Sequence, residues 1–418
     1  MSHRPSRRTV VGIALSAVAG LVLAAPASAA PLADSPAAAP QPGKVLYTND
    51  ARALPGQFIV SLGANTKEED VDRLADELTS KYGGQKQFVY TAAMRGFSIQ
   101  ATDSQASLIA GDPAVEFVAQ DIEFTADALG LQPNPPSWGL DRIDQRSLPL
   151  DNKYFYPNIA QNVTAYVIDT GIRLTHQEFG GRAICGFDPY LGGCAPCPVG
   201  FAQFHGTHVA GTIGGRTVGV AKGVRIVSVR VLDCNGSASG ATVIAGVNFV
   251  TLSQQLNPNQ RSVANMSLGG GAFAPLDNAV TASIAANVHY SVAAGNSNLN
   301  ACGFSPARTP RATTVGSTMI NDNRSAFSNF GPCLDLFAPG ENIFSASNTA
   351  DNAYAVASGT SMASPHAAGT AAMWRQKFPA DNADQVATAL AANATPGVVI
   401  NPGIGSPNLL LFQSMIPV

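Results

Sequence analysis

From Trp138 onward, apolar runs rich in β-branched residues alternate with segments of helical character. Residues 163–168, 224–231, 263–266 and 290–293 read as strands; residues 205–213, 241–254, 276–286 and 361–375 read as helices. Strands that are apolar at every position are buried on both faces, so this alternation predicts a mostly parallel sheet covered by helices on two sides, an α/β architecture. Chemistry in such a sheet gathers at the carboxyl ends of the strands. Asp169 directly follows one of them, and Ser267 and Asn296 follow two others.

Three short segments carry the chemistry: Asp169-Thr170-Gly171, His205-Gly206-Thr207-His208, and Gly359-Thr360-Ser361-Met362-Ala363-Ser364-Pro365-His366. Ser361 sits where a Gly-Thr turn enters an Ala-rich helix. The free N–H groups and the field at a helix N-terminus favour a developing oxyanion. Each segment also has a plainer reading. Ser361 alone is an ordinary N-cap, His205 and His208 fit a metal pair or two packed histidines, and an Asp at a strand end is usually a turn former. Together they supply a hydroxyl nucleophile, a base to take its proton, and an acid to set the tautomer of that base.

In these motifs, and in their order Asp, His, Ser, the chain resembles the subtilisin-like serine peptidases, within them the proteinase K and aqualysin group. The resemblance implies a subtilisin-like three-layer fold, with Asp169 as acid, His205 as base and Ser361 as nucleophile. Asn296, in Ala293-Ala294-Gly295-Asn296, matches the oxyanion asparagine. His208 and His366 are then structural. Gly236 and Ser237 on one side, and Ser267, Leu268 and Gly269 on the other, match segments that offer backbone hydrogen bonds to an extended peptide. Ala294 and Gly295 belong to the same substrate site. Phe304 falls at the far end of the specificity pocket, where no charged residue appears, so apolar or aromatic side chains are expected there.

A structural calcium ion is implied at Pro310 and Ala312, through carbonyl oxygens, and at Asp335; calcium prefers such oxygen donors. No catalytic cofactor is implied. Cys302 and Cys333 match an aqualysin bridge, and Cys234 matches one end of another; its partner among Cys185, Cys194 and Cys197 is open, with Cys197–Cys234 and Cys185–Cys194 as the first choice. The chain departs from the family at Phe204, before His205, and in the Cys194-Ala195-Pro196-Cys197-Pro198 stretch. Phe204 either packs against the altered loop or narrows the cleft beside His205.

Basic residues through Arg8 precede an apolar run over 10–25 and the small-x-small triplet Ala27-Ser28-Ala29, which reads as an export signal over 1–29. That run is short for a membrane span and ends at Pro26. Six cysteines, all after residue 184, fit an oxidising compartment. Residues 31–42 form an Ala/Pro-rich connector. Residues 55–124 then show the order βαββαβ, a ferredoxin-like α+β unit that resembles the inhibitory propeptide of these enzymes. The expected organisation is signal 1–29, propeptide 30–128 and peptidase 129–418. The net charge of −3 falls to −6 once Arg4, Arg7 and Arg8 of the signal are discounted, and no basic stripe is present, which excludes nucleic acid as a partner. The expected product is a secreted, monomeric serine endopeptidase free of the membrane in its mature form. It acts on proteins and peptides, and its own propeptide, cut near 126–131, is its intramolecular inhibitor. A silent peptide-binding protein and an esterase are the rival readings.

Overall fold

A computed structural model describes residues 42–50, 53–122, 130–190, 204–414 and 416. The chain divides into two compact units between Thr125 and Ala126. The export signal, the first connector, and Cys194 and Cys197 with their assigned bridges lie outside the described residues. Cys185 and Cys234 are themselves disulfide-bonded.

The first unit carries strands Ala53–Leu62, Gln85–Tyr90, Gly96–Gln100 and Val115–Ile122, with helices Val71–Tyr82 and Asp103–Ala110 between them. Ala53–Leu62 lies between Val115–Ile122 and Gly96–Gln100 and runs antiparallel to both, which completes the expected ferredoxin-like order. The apolar helix face Val71, Ala75 and Leu78 closes on Phe58, Val60, Phe97 and Ile99. The shorter helix begins in a capping box between Thr102 and Gln105, which satisfies two N–H groups that the first turn would leave unpaired.

The second unit is built on a nine-stranded sheet. Its centre runs Leu336–Pro339, Thr313–Thr318, Val288–Ala293, Arg261–Met266, Val163–Asp169, Arg225–Arg230 and Ala183–Phe187, all parallel. A short antiparallel pair, Thr395–Pro396 with Leu409–Leu410, finishes one edge. Helices His205–Gly214 and Thr360–Lys377 belong to one apolar layer, and Gly240–Leu256 and Ala274–Ala285 to the other. The α/β expectation holds. Residues 126–136, with prolines at 133, 135 and 136, read from sequence as a second connector, but part of it is a strand: Gly130–Pro133 pairs with Lys153–Tyr156, and the Gln132 side chain is bonded at both ends, to the Thr217 carbonyl and to Lys222 Nζ. No helix among the described residues is long and apolar enough to cross a membrane.

Two covalent or ionic ties fix the far side of the sheet. Arg142, fully buried, grips Asp322 through Nε–Oδ1 at 2.7 Å and Nη2–Oδ2 at 3.0 Å, joining helix Trp138–Ile143 to the turn after Thr313–Thr318. The expected Cys302–Cys333 bridge is present, with Cα atoms 5.3 Å apart and a sequence separation of 31. Replacing both cysteines by serine removes a constraint worth about 3–4 kcal/mol by loop-closure entropy. The double variant is expected to lose activity faster at elevated temperature, and equal half-lives for variant and parent would show that the bridge does not support the fold.

Candidate active site

Asp169 is the last residue of its strand and is fully buried. His205 opens its helix with about a quarter of its side chain exposed. The His205 Nδ1–H donates to Asp169 Oδ1 at 2.8 Å, which leaves Nε2 free of the proton and able to accept one. Thr170 N–H donates to the same oxygen at 2.7 Å, and the Thr170 hydroxyl accepts from Gly206 N–H at 3.0 Å. A Cβ on Gly206 would lie 2.4 Å from the Gly171 carbonyl, so only glycine lets the helix start so close to the acid's turn. Burial lowers the His205 pKa, but the charge of Asp169 and its hydrogen bond outweigh that, and the net shift is upward. His208 and His366 go the other way. Both are buried and bonded to main-chain carbonyls, of Ile343 and Met362, and burial drives each down to about 4. They are structural, as expected.

Ser361 lies in the first turn of helix Thr360–Lys377, which is buried almost throughout. In this state its hydroxyl donates to the Ser267 carbonyl at 3.1 Å. Asn296 is held by Thr360, whose N–H and hydroxyl donate to Asn296 Oδ1 at 2.8 and 2.9 Å. That fixes the amide so that Nδ2 faces the nucleophile. A Cβ built on Gly359 would sit 3.4 Å from Asn296 Nδ2 and 3.5 Å from Ser361 N. Asn296 Nδ2 and Ser361 N thus both border one space that Gly359 leaves without a side chain, the placement that the oxyanion expectation calls for. Gly295, at φ +101°, brings Asn296 into place; a side chain there would strike Asn329 Nδ2 at 2.4 Å.

A cleft of about 700 Å³ runs past His205, Ser361 and Asn296. Gly236 and Ser237 line it, as do Ser267, Leu268 and Gly269. The first pair is shaped by Asp233, whose Oδ1 accepts from the N–H groups of Asn235 and Ser237, both at 2.9 Å. Beyond Leu268 and Gly269 lies a second recess of about 230 Å³, lined by Ala294, Gly295 and Phe304. Strand Gly270–Gly271 pairs with Phe304–Ser305 and closes that recess from one side. Phe204 lines the cleft and packs into the apolar layer with its ring 5.9 Å from His208, while the altered loop lies outside the described residues.

Pro310, Ala312 and Asp335 lie apart from the cleft, just before strands Thr313–Thr318 and Leu336–Pro339. Asp335 Oδ2 accepts from Thr314 N–H at 2.7 Å, burial pushes its carboxyl up to about 6, and no cationic side chain pairs with it among the described residues. A largely buried carboxylate with no cationic partner among the described residues is an oxygen donor of the kind calcium takes. Thr360, Thr170 and Asn329 were not found from sequence. Thr360 stood inside the nucleophile segment; Asn329 carried no local signal.

Comparison with known proteins places the chain by family and fold. Residues 160–408 match the subtilase family and residues 57–127 match the peptidase inhibitor I9 family. An extracellular serine proteinase of Thermus sp. (strain Rt41A) is 46% identical over 398 residues, 90% of this chain and 94% of that protein. Alkaline serine exoprotease A of Vibrio alginolyticus is 44% identical over 83% of this chain, which spans 64% of that longer protein. Among solved structures, a cold-adapted subtilisin-like serine proteinase superposes with a TM-score of 0.60 at 48% identity, covering 66% of this chain and 97% of that one.

The imidazole of His205 is expected to titrate above its ordinary value of 6.5, and Asp169→Asn is expected to bring it below the parent value. Both follow by NMR titration of the ring protons. A His205 that titrates lower than the ordinary value, or that ignores Asp169→Asn, would contradict the electrostatics described above.

Proposed function

The chain belongs to the subtilase family and is a hydrolase carrying an I9-type inhibitor segment, and from that premise we propose that it is a secreted serine endopeptidase made as a self-processing preproenzyme. The observation that carries this reading is the convergence of Asn296 Nδ2 and Ser361 N on one empty space, beside a hydroxyl and a base oriented by a buried carboxylate. Ser361 Oγ attacks the peptide carbonyl while its proton passes to His205 Nε2. Asp169 keeps the other ring nitrogen protonated and stabilises the imidazolium. The oxygen that becomes negative is met by the two N–H donors, which are already in position and need no reorganisation. His205 then gives its proton to the leaving amine. Water attacks the acyl-enzyme with the same base, and Ser361 is restored.

Substrate lies extended between the 235–238 and 267–270 segments. The side chain next to the scissile bond enters the recess ended by Phe304, whose lining is uncharged and therefore suits apolar or aromatic groups. Residues 1–29 serve as the export signal, 30–128 as the propeptide and 129–418 as the peptidase. Two relatives named for extracellular or exoprotease character support secretion. The central test is Ser361→Ala. The variant is expected to accumulate as the uncut precursor and to lose casein hydrolysis entirely. Autoprocessing by pure Ser361→Ala protein would overturn the reading.

Calcium, held by the carbonyls of Pro310 and Ala312 and by Asp335, would supply charge neutralisation and a cross-link rather than chemistry at the scissile bond. Arg311, between the two carbonyl donors in sequence, pairs its guanidinium with Asp384 at 2.6 and 3.0 Å. Binding that favours the folded form stabilises it by mass action. Chelation is expected to shorten the inactivation half-life at elevated temperature, and Asp335→Asn to mimic chelation and to abolish the response to added calcium. Equal half-lives with calcium, with chelator and for Asp335→Asn would remove calcium from this site.

A further inference from the structure

We propose that a buried relay of Ser364, Asn265 and Ser267 positions the nucleophile by holding the main-chain carbonyl of Ser361. The inference rests on the reading of Ser361 as nucleophile. In an α-helix the carbonyl of residue 361 accepts from the N–H of residue 365. Residue 365 is proline, inside helix Thr360–Lys377. It has no N–H to give, and its ring crowds the carbonyl four residues back. The Ser361 carbonyl therefore needs a donor from outside the helix.

Ser267 supplies it. Its hydroxyl donates to the Ser361 carbonyl at 2.7 Å. Asn265 Nδ2 donates to that hydroxyl at 2.8 Å, and Ser364 Oγ donates to Asn265 Oδ1 at 2.7 Å. The direction of the relay is thereby set: each hydroxyl proton is committed, and the last one points at the Ser361 carbonyl. Asn265 and Ser364 are fully buried and Ser267 nearly so. Asn265 stands in a strand whose neighbours Val263, Ala264 and Met266 are apolar core. A polar side chain in such a place is costly unless every group is bonded, so the network is closed or not formed.

Ser267 also gives its own carbonyl to the Ser361 hydroxyl, at 3.1 Å. One residue thus holds the nucleophile by its main chain and by its side chain. The three relay side chains are positioning residues, because they act through Ser361. None of them titrates, so they set geometry without moving the pH dependence of the base.

A mutant cycle between Ser267 and Pro365 tests the relay, because Pro365→Ala returns an N–H to the Ser361 carbonyl. Kinetics on a peptide anilide are measured for the parent, Ser267→Ala, Pro365→Ala and the double variant. Ser267→Ala is expected to lower kcat about tenfold, as befits one buried hydrogen bond, with KM within about twofold and the acid limb of the pH profile unmoved. In the Pro365→Ala background the same substitution is expected to cost less than about twofold. Equal losses in both backgrounds, or no loss in the first, would overturn the relay. Should Ser267→Ala not fold, Ser364→Ala takes its place; it is expected to lower kcat by about threefold to fivefold, and an unchanged kcat would count against the proposal. Peptide mapping of a serine-directed phosphonylating label separates the two readings. Absence of label on Ser361 in the parent enzyme would refute the nucleophile itself, whereas label on Ser361 without coupling in the cycle would refute the relay alone.

Discussion

The constraint on which this site depends is the burial of helix Thr360–Lys377 on nearly every side. It packs against helix His205–Gly214 and against strands Val163–Asp169 and Arg261–Met266. The approach is close enough that a Cβ on Gly369 would lie 2.6 Å from Val220, and one on Gly211 would lie 2.4 Å from the Ser345 hydroxyl. Hence the small residues along both helices. With both helices seated, Ser361 at one N-terminus and His205 at the other, the proposed nucleophile and base, have little freedom to drift. That is the structural content of preorganisation: the geometry is fixed by packing before any substrate arrives.

Burial also sorts the histidines. His205, His208 and His366 occur in the two catalytic segments, and dehydration lowers the pKa of all three. Only His205 has a carboxylate in contact, and only there is the loss of water overcome. His208 and His366 are bonded to neutral carbonyls, which do little to hold a proton, so they stay uncharged across the range in which a base must work. Asp169 bears the cost of this arrangement. Its Oδ1 accepts two hydrogen bonds, while its Oδ2 is buried without a hydrogen-bond partner among the described residues.

What the sequence made legible follows the same physics. Strands whose carboxyl ends carried apolar runs, such as Tyr166-Val167-Ile168 in Val163–Asp169 and Val292-Ala293 in Val288–Ala293, declared themselves. Thr313–Thr318 and Leu336–Pro339 did not, because Thr-Thr-Val-Gly-Ser-Thr and Leu-Phe-Ala-Pro carry hydroxyls, glycine or proline in place of an apolar run. Gly130–Pro133 was hidden by its prolines, and its pairing depends on a partner strand about twenty residues on. The cleft residues were legible through family resemblance more than through local pattern. Ser267 was found as a backbone donor, but the work of its hydroxyl was invisible, since it answers a defect created by Pro365 nearly a hundred residues away.

The nucleophile segment is so specific because each of its residues has a separate steric or hydrogen-bonding task. Gly359 leaves the oxyanion space empty. Thr360 orients Asn296, and its hydroxyl also accepts from Gly295 N–H at 3.0 Å. Ser364 reaches back to Asn265, and Pro365 strips the helix of the N–H that would otherwise bond Ser361. His366 bonds the Met362 carbonyl and points its other nitrogen toward Gly139, where a Cβ would come within 2.5 Å. Any one of these residue types is common at a helix start. Their joint occurrence is rare because they meet neighbours drawn from a strand, a helix and the turn after another strand, and no single local preference would select them together. A helix that merely needed an N-cap would keep the serine and lose the rest.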